Sequence, residues 1–414
     1  MDNRPVIVGM DMLTPLGTQI EEQINNAEEG KSGIGPLTRF TLPENFPVTI
    51  AGQVPDIDTS SYEFLKPRKM AHWFSPVFKH SLLVVHRALK QAKLEISPEI
   101  SPRVATTFST AIGGLDAVLF ADRQLREKGK LPHPFVNPNS CINMVAGKVS
   151  ILSGATGPIT TSITACATGS TSLITGAMFI QAGMADVAIC GAVDFPLVEP
   201  IVAGFATMNG AYRTKKDQPE PPVSASRPFS SNRRGFVISE GAAAIIICSK
   251  NFAKEHSLTP LATVAGWAMT SDAHHFVAPN QVTVTRCMAQ AIEHAGIGPS
   301  DISAINAHAA STKVGDSVEA KSILELFGSN HPIITANKSL IGHCMGASSA
   351  IELVMAQKSM ERKTLPPTIN LSPDKELGLV NVFDHAVEYE PRWVLKNAFG
   401  FGGCNACVVL GPVA

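Results

Sequence analysis

The chain has 414 residues, of which 44% are hydrophobic and 17% charged, and 34 basic against 35 acidic residues leave a formal net charge of −1. This balance argues against a basic nucleic-acid binder or an acidic disordered tail. The apolar stretches are broken by 32 Gly and 29 Pro, so we expect no membrane span of roughly 18 residues and instead a large α/β core.

The chain alternates short apolar, β-rich runs with helical patterns. Predicted strands cover residues 5–10, 103–109, 186–192, 242–248, 302–306, 333–336 and 406–411. Predicted helices cover residues 78–93, 139–153, 169–183, 282–295, 317–327 and 347–360. The first helix repeats apolar residues at the helical period, at Leu82, Val85, Leu89 and Ala92. The alternation predicts an α/β fold in which helices cover layered sheets.

A motif rich in Gly and Ala precedes a long apolar helix twice, before residues 169–183 and before residues 347–360. We interpret this as a sign of two pseudo-symmetric halves. No linker rich in Ser or charge divides the chain, which indicates one compact body or two tightly fused halves. We place the halves at residues 1–255 and 256–414.

Eight cysteines are scattered along the chain, and Cys190 and Cys248 lie in strand-like apolar runs. Such usage indicates a reducing environment, and residues 1–5 lack a signal-peptide core, so we expect a cytoplasmic protein. Cys404 and Cys407 form a single C-x-x-C pair. Without a second pair or nearby histidines, we interpret them as strand positions and expect no metal site.

Cys166 stands between a β-like run at residues 157–163 and the predicted helix at 169–183. A cysteine in this position faces the positive end of the helix dipole, which is expected to lower the pKa of the thiol. The resulting thiolate is a nucleophile suited to accept an acyl group. A buried structural cysteine is the alternative, and two histidine motifs make catalysis the better interpretation.

His308, in segment 306–312, and His343, in segment 337–346, each follow a predicted strand and precede a helix. Because sites in layered α/β folds gather at the carboxyl ends of strands, we expect both histidines to converge with Cys166. Two imidazole N–H groups beside a thiolate can stabilise the enolate oxygen that forms when a malonyl thioester loses CO2.

The charged residues near these motifs have either a buried or a surface role. We interpret Lys338 as a buried charge that orients a histidine; the alternative is a solvated surface lysine. Asp316, Glu319 and Glu352 are candidate partners, or else ordinary helix-face charges. Glu352 lies in the apolar segment 347–360, where an unpaired carboxylate is costly, so we expect it to be paired.

Segment 397–405 alternates glycine with phenylalanine. We predict that Phe401, with its neighbours Phe399 and Gly402, gates an apolar pocket. We also predict that the backbone N–H groups of Phe401 and Cys166 form an oxyanion hole. A glycine-rich hairpin with core aromatics is the alternative. No nucleotide-binding fingerprint occurs at a strand-to-helix junction, so nothing supports nicotinamide or nucleotide chemistry.

Together these motifs resemble those of the β-ketoacyl-acyl-carrier-protein synthases of the thiolase superfamily, specifically the type II elongating condensing enzymes. The resemblance spans essentially the whole chain and includes segments 111–115, 143–147, 226–229, 235–237, 271–273 and 365–370. It implies a thiolase-like fold in a homodimer, with no metal or nicotinamide. It also implies transfer of an acyl group from the phosphopantetheine of an acyl carrier protein to Cys166, then decarboxylative condensation with malonyl-carrier protein.

The resemblance also implies roles for single residues. Cys166 would be the acylated nucleophile, His308 and His343 the decarboxylation pair, and Lys338 and Glu352 buried charges beside them. The remaining implied roles are a gate at Phe401, an acyl-pocket wall at Ile112, a pantetheine tunnel at Thr312, Val277 and Ala310, and carrier-protein docking at Arg68 and Lys69.

The chain departs from the family pattern beside the reactive residues. Ala310 stands where a threonine would hydrogen-bond pantetheine, and Val277 where Thr or Ser is expected. Ser230 and Arg234 replace aspartates, and Cys404 replaces a threonine. These changes leave the reactive groups intact and alter how a substrate is held.

Three alternatives remain open. The first is a ketosynthase subunit of a specialised type II polyketide or polyene pathway that acts with a non-catalytic chain-length subunit, which the altered pantetheine contacts favour. The second is a non-catalytic partner subunit, against which Cys166, His308 and His343 argue. The third is a degradative thiolase with Cys344 or Cys404 as base, against which the Lys-Ser-x-x-Gly-His motif at 338–343 argues.

Overall fold

The computed structural model describes residues 4–208, 210–215 and 220–413. The strands are β1 (Val6–Leu13), β2 (Ile34–Pro36), β3 (Ile50–Gly52), β4 (Val104–Thr106), β5 (Val187–Asp194), β6 (Gly241–Cys248), β7 (Ala262–Ser271), β8 (Ile302–Asn306), β9 (Ile333–Thr335), β10 (Thr364–Leu365), β11 (Val387–Glu388), β12 (Trp393–Gly400) and β13 (Cys404–Gly411). The helices are α1 (Ile20–Glu28), α2 (Pro67–Met70), α3 (Pro76–Ala92), α4 (Leu115–Lys128), α5 (Val136–Ser140), α6 (Asn143–Ser153), α7 (Thr168–Gln181), α8 (Glu199–Thr207), α9 (Lys250–Glu255), α10 (Gln281–Ala295), α11 (Lys313–Phe327), α12 (Lys338–Ile341) and α13 (Ala347–Arg362).

Nine of the strands form one mixed sheet in the order β4-β5-β6-β1-β7-β13-β12-β8-β9, and two small sheets pair β2 with β3 and β10 with β11. The large sheet repeats one pattern on either side of the β1–β7 junction. Moving outward, β6 and β5 on one side, and β13 and β12 on the other, pair antiparallel. Next, β4 and β8 pair parallel to β5 and β12. The expected thiolase-like α/β fold with two pseudo-symmetric halves is confirmed.

The core has two faces. Along β1, Val6 and Val8 belong to a buried cluster with α3, while Ile7, Met10 and Met12 belong to a cluster with α7 and α13. In the second half, α10 takes the place of α3. Helices α7 and α13 contact strands of both halves, and α13 is buried from Ala347 to Ser359. These two apolar helices are therefore the centre of the molecule, as their composition predicts.

Two predicted elements are wrong. Residues 157–163 form no strand, because only Ile159 makes a bridge, to Thr106. That bridge occupies the place in the first half that β9 occupies in the second. The helix predicted at residues 139–153 is divided into α5 and α6, since the backbone is extended at Cys141. Within the described residues, no helix combines the length and the apolar character that crossing a bilayer requires.

The N-termini of α7 and α13 are in direct backbone contact. The N–H of Gly169 donates to the carbonyl of Gly346 over 3.1 Å, and the N–H of Ser170 donates to Ser349 Oγ over 3.0 Å. A Cβ atom on Gly169 would lie 2.4 Å from the backbone nitrogen of Ala350, a distance that no side chain tolerates. Only glycine therefore allows the two helices to approach this closely.

Replacing Gly169 tests this contact. Gly169→Ala should destabilise the fold by about 1–3 kcal/mol, because α7 and α13 must separate to admit the methyl group. The matched control is Gly147→Ala in α6, where no atom lies within 4 Å of the added carbon. The control should be neutral or stabilising by up to about 1 kcal/mol through its higher helix propensity. Urea unfolding followed by circular dichroism measures both; equal stabilities for the two variants would contradict the close-packing argument.

Candidate active site

Cys166 lies in a short 3₁₀ turn, Ala165–Ala167, directly before α7. Its Sγ atom is 3.0 Å from Nε2 of His343. Ala165 has φ = 49°, in the left-handed region that non-glycine residues seldom adopt. The hydroxyl of Thr168 donates to the carbonyl of Ala165 over 2.7 Å and holds this turn. The strained turn presents the sulfur to the histidine, and such strain is common at functional sites.

Burial raises the pKa of the Cys166 thiol to about 11, although Lys338 and the backbone N–H of Phe401 act in the opposite direction. The expectation that the helix dipole lowers this pKa is therefore wrong, because desolvation of the enclosed sulfur outweighs the positive end of α7. The resting group is a thiol. Burial, Lys338 and Lys396 hold the pKa of His343 well below its usual range. A neutral imidazole thus stands ready to accept the thiol proton.

His308 and His343 face the same space. Their ring centroids are 5.8 Å apart with planes at 84°, and the ring of Phe399 lies 5.7 Å from that of His308. Nδ1 of His343 is 2.9 Å from Ser348 Oγ, which leaves Nε2 for the sulfur or a substrate. Burial, with Lys338 and His343, also lowers the pKa of His308 far below its usual range. The structure brings the three predicted reactive residues together in the way that their shared strand–turn–helix context suggests.

A buried ion cluster supports the histidine loops. Nζ of Lys338 is 2.6 Å from Oε1 of Glu352 and donates to the carbonyl of His308 over 2.7 Å. Nζ of Lys396 is 2.9 Å from Oε2 of the same glutamate. The expectation that Glu352 is paired is confirmed. The alternative of a solvated surface lysine is wrong for Lys338, whose side chain is 1% exposed.

Two further buried carboxylates hold the backbone around His308. Glu319 accepts the N–H groups of His308 and Ala309 at 2.8 and 2.7 Å. Asp316 accepts those of Ala310 and Thr312 at 3.1 and 3.0 Å. Burial raises the pKa of both carboxyl groups. They hold main-chain atoms, and Asp316 also accepts the hydroxyl of Thr312 over 3.4 Å. They therefore fix the loop and leave the side chains of His308 and Ala310 to face the cavity.

The reactive residues open into a cavity of about 880 Å³. The predicted site residues that line it are Ile112, Cys166, Val277, His308, Ala310, Thr312, His343, Phe399 and Phe401. Gly402 does not line it, and instead its N–H donates to the carbonyl of Phe276 over 2.7 Å. Arg68 and Lys69 lie outside, exposed on α2, where Arg68 pairs with Glu63 at 2.8 Å.

The glycine-rich segment is a hairpin between β12 and β13, and it also forms a cavity wall. Phe399 is a core residue, while Phe401 is only partly buried. A Cβ atom on Gly400 would lie 2.3 Å from the carbonyl oxygen of Thr164 and 3.2 Å from the nitrogen of Cys166. The end of β12 thus packs directly on the nucleophile turn. This contact places the N–H of Phe401 beside the sulfur.

Two buried charges at the site are not predicted from the sequence. Lys396 interrupts an apolar strand, β12. Asp194 ends β5 and accepts from the N–H of Ile112 at 2.9 Å and that of Ala347 at 3.2 Å, thereby tying the cavity wall to α13. Burial raises the pKa of Asp194 to about 6. In both cases, the sequence feature that could have identified the residue is a single charge within or at the end of an apolar strand.

The remaining cysteines are placed apart from this chemistry. Cys404 and Cys407 oppose Gly400 and Asn397 across the hairpin, and their spacing of three residues puts them on opposite faces of β13. Neither Cys344 nor Cys404 is among the described residues that line the cavity. In the described ranges, no group of three or more His, Cys, Asp or Glu side chains is arranged to hold a metal ion.

Comparison with known proteins gives consistent matches along the chain. The family model "Beta-ketoacyl synthase, N-terminal domain" matches residues 2–253, and the corresponding C-terminal domain model matches residues 261–372. A 3-oxoacyl-[acyl-carrier-protein] synthase 2 of Coxiella burnetii is 34% identical over 416 residues, which cover 99% of both chains. A protein of the same name from Staphylococcus aureus is 33% identical over 414 residues, covering 99% of this chain and 98% of the relative.

Solved structures also resemble the whole chain. A type II polyketide ketosynthase in complex with its acyl-carrier protein, bound to the hexaketide, has a TM-score of 0.90 at 26% identity. The ishigamide ketosynthase/chain length factor has a TM-score of 0.89 at 28% identity. A β-ketoacyl synthase of Burkholderia phymatum has a TM-score of 0.90 at 26% identity. Each match covers 100% of both chains.

The raised pKa of Cys166 predicts how the thiol reacts with iodoacetamide. Because only the thiolate reacts, the alkylation rate should rise about tenfold per pH unit from about pH 7 to about pH 10, without levelling off. Peptide mass spectrometry measures the rate, with the exposed Cys141 as internal reference for the reagent. A plateau near neutral pH would instead indicate a thiolate–imidazolium pair and contradict the neutral resting state.

Proposed function

The chain belongs to the β-ketoacyl synthase family, and we propose that its cavity lengthens a carrier-bound acyl chain by decarboxylative Claisen condensation with malonyl-acyl-carrier protein. It is a condensing acyltransferase, a 3-oxoacyl-acyl-carrier-protein synthase. The observation that carries the proposed mechanism is the contact of 3.0 Å between Cys166 Sγ and His343 Nε2, with His308 facing the same space.

In the first step, His343 takes the proton of the Cys166 thiol as the sulfur attacks the acyl thioester. The N–H groups of Cys166 and Phe401 both interact with the sulfur and would stabilise the oxyanion that forms beside it. Collapse of the intermediate leaves the acyl group on Cys166. The departing pantetheine thiolate takes a proton from solvent, and His343 loses the hydrogen on Nδ1, beside Ser348. The residue is then neutral with a hydrogen on Nε2, which it can donate in the second step.

In the second step, malonyl-carrier protein occupies the emptied tunnel. Its carboxylate leaves as CO2, and the electron pair moves into an enolate whose oxygen accepts hydrogen bonds from His308 and His343. Neutral imidazoles suit this role, because a full positive charge would hold the departing carboxylate in place. The enolate carbon then attacks the carbonyl of acyl-Cys166. The released thiolate takes a proton from solvent, and the product is a 3-oxoacyl chain two carbons longer.

The substrate would reach Cys166 as a phosphopantetheine arm of an acyl carrier protein, with no further cofactor. Thr312, Val277 and Ala310 line the same cavity and are proposed as the tunnel walls. Of the three, only Thr312 carries a hydroxyl; it donates to Asp316 over 3.4 Å, and its oxygen is placed to accept a hydrogen bond from the substrate. Arg68 and Lys69, exposed on α2, are proposed to receive the acidic carrier protein.

The assembly is proposed to be a dimer, either of two identical chains or with a paralogous chain-length subunit. Exposed apolar side chains on α4 support a subunit interface, at Leu115, Val118, Phe120 and Leu125. The apolar tunnel positions and the likeness to polyketide ketosynthases favour a specialised polyketide or polyene pathway as the second candidate, beside fatty acid elongation. The mostly buried, free cysteines support a cytoplasmic location.

A condensation assay tests the proposal directly. The purified chain, mixed with malonyl-carrier protein and a ladder of acyl-carrier proteins, should yield 3-oxoacyl-carrier protein visible by mass spectrometry. Cys166→Ala should abolish acylation and condensation, because Cys166 is the one cysteine among the described residues that line the cavity. Cys166→Gln should stop condensation and retain release of CO2 from malonyl-carrier protein, since both histidines remain.

Loss of both activities in Cys166→Gln would contradict the separate roles of the cysteine and the histidines. Acylation of wild-type Cys166 without condensation would indicate a missing partner subunit and favour the polyketide pathway.

Ile112 is proposed to limit the length of the acyl chain. Ile112→Phe should shorten the longest accepted chain, because the larger ring extends into the cavity that Ile112 lines. The measurement is the product distribution over the same acyl ladder. Val380→Phe, at an exposed position away from the cavity, is the matched control and should leave the distribution unchanged. An unaltered profile in Ile112→Phe would remove this residue from the pocket wall.

A further inference from the structure

Lys396 is a second fully buried lysine beside the histidines, and neither step of the proposed reaction requires it. Its side chain is 0% exposed, and its Nζ atom lies 2.9 Å from Oε2 of Glu352 and donates to the carbonyl of Asn397. The other oxygen of Glu352 is already occupied by Lys338 at 2.6 Å. One carboxylate is therefore shared by two lysine side chains; burial lowers the pKa of Lys396, while Glu352 opposes this shift. Burial of an extra charge is costly, so its presence calls for a function.

We propose that Lys396 is a positioning residue that keeps His308 and His343 uncharged and, through Glu352 and Lys338, fixes the carbonyl of His308. This inference rests on the proposed function, because it concerns the proton that His343 accepts from Cys166.

The positioning follows two paths from neighbouring residues on β12. Through Glu352, Lys396 orients Lys338, which binds the carbonyl of His308 over 2.7 Å. Next along the strand, Nδ2 of Asn397 donates to Glu319 over 3.0 Å, and Glu319 accepts the N–H of His308 over 2.8 Å. Four residues further on, the same strand leads to Phe401 beside the sulfur. One strand thus sets the position of both His308 and the proposed oxyanion hole.

The electrostatic part follows from the balance of charges around the imidazoles. Lys338 from α12 and Lys396 from β12 act on both imidazoles, and His343 also acts on His308. The buried carboxylates around this site are Glu352 from α13, Glu319 and Asp316 from α11, and Asp194 from β5, which acts on the thiol of Cys166. Burial is the main cause that lowers the pKa of both histidines, and Lys396 adds to it. Without Lys396, one of the two lysines that oppose protonation of the histidines is lost, while Glu352 stays buried, so protonation of a histidine becomes easier.

The test compares three variants at matched burial. Lys396→Met removes the charge and keeps the length of the side chain, and Lys396→Arg keeps the charge. Lys358→Met is the control, because Lys358 is also buried and paired, with Glu21 at 2.8 Å and Glu361 at 3.0 Å, but does not line the cavity. Two quantities are measured against pH: the single-turnover rate of Cys166 acylation, and the NMR titration of the histidine rings without substrate.

In Lys396→Met, the acidic limb of the acylation profile and the histidine midpoints should move up by about one pH unit. At a pH on that limb, acylation should be about tenfold slower, with an unchanged KM for the carrier protein. Lys396→Arg should restore the wild-type profile. Lys358→Met should lose stability without moving the limb. A Lys396→Met profile that coincides with that of the wild type would overturn the inference.

A second pair of variants keeps the inference testable if Lys396→Met alone fails to fold. Glu352→Gln removes the carboxylate that Lys338 and Lys396 share, and adding Lys396→Met there removes one of the two lysines that act on the histidines. The histidine midpoints of the double variant should lie above those of Glu352→Gln alone, and equal midpoints would overturn the inference. If wild-type Cys166 is not acylated at all, the proposed function fails, while the histidine titrations still decide the role of Lys396.

Discussion

The contact between the N-termini of α7 and α13 is the constraint on which the site depends. In each half, the helix comes after the third stretch of chain that joins the large sheet. This stretch is the bridge at Ile159 before α7 and strand β9 before α13. Cys166 and His343 are therefore placed at equivalent corners of two repeated units. Because Gly169 lets the helices touch, the residues just before them come within hydrogen-bond distance. The proposed nucleophile and its proposed base meet through the pseudo-symmetry of the fold, although 177 positions separate them.

Burial at this junction has opposite effects on the two partners. It raises the pKa of the thiol and lowers that of the imidazole, so the proton stays on sulfur until a substrate arrives. An ion pair formed in advance would be more nucleophilic, but the enclosed cavity gives it little solvation. The compensation comes from fixed groups: the N–H of Phe401 and the charge of Lys338 act on the sulfur once it ionises. The proposed activation of Cys166 thus depends on preorganised contacts more than on the resting thiolate fraction.

The sequence is enough to predict the α/β fold, most strands and helices, and the meeting of Cys166 with both histidines, because all three share one local context. Prediction from the sequence fails where a rule about neighbouring residues, such as the helix dipole or the apolar strand pattern, is outweighed by burial in the folded chain. The helix-dipole argument for Cys166 ignores desolvation, which only the folded chain reveals. Strand β12 is not predicted because Lys396 and Asn397 interrupt its apolar pattern, and these are the buried polar residues that support His308. The segment 157–163 resembles a strand in composition but finds only one bridging partner.

The departures from the family pattern fall on side chains that the chemistry does not use. Ala310 is held by its N–H, which Asp316 accepts, so loss of a hydroxyl at this position leaves the loop in place. Arg234 replaces an expected aspartate and pairs with Glu220 at 2.8 Å, forming a local contact of its own. The reactive geometry instead rests on main-chain groups and buried charges. Cavity walls can therefore change with the substrate while the condensation machinery stays the same, so a fatty acid and a polyketide pathway can use one set of catalytic contacts.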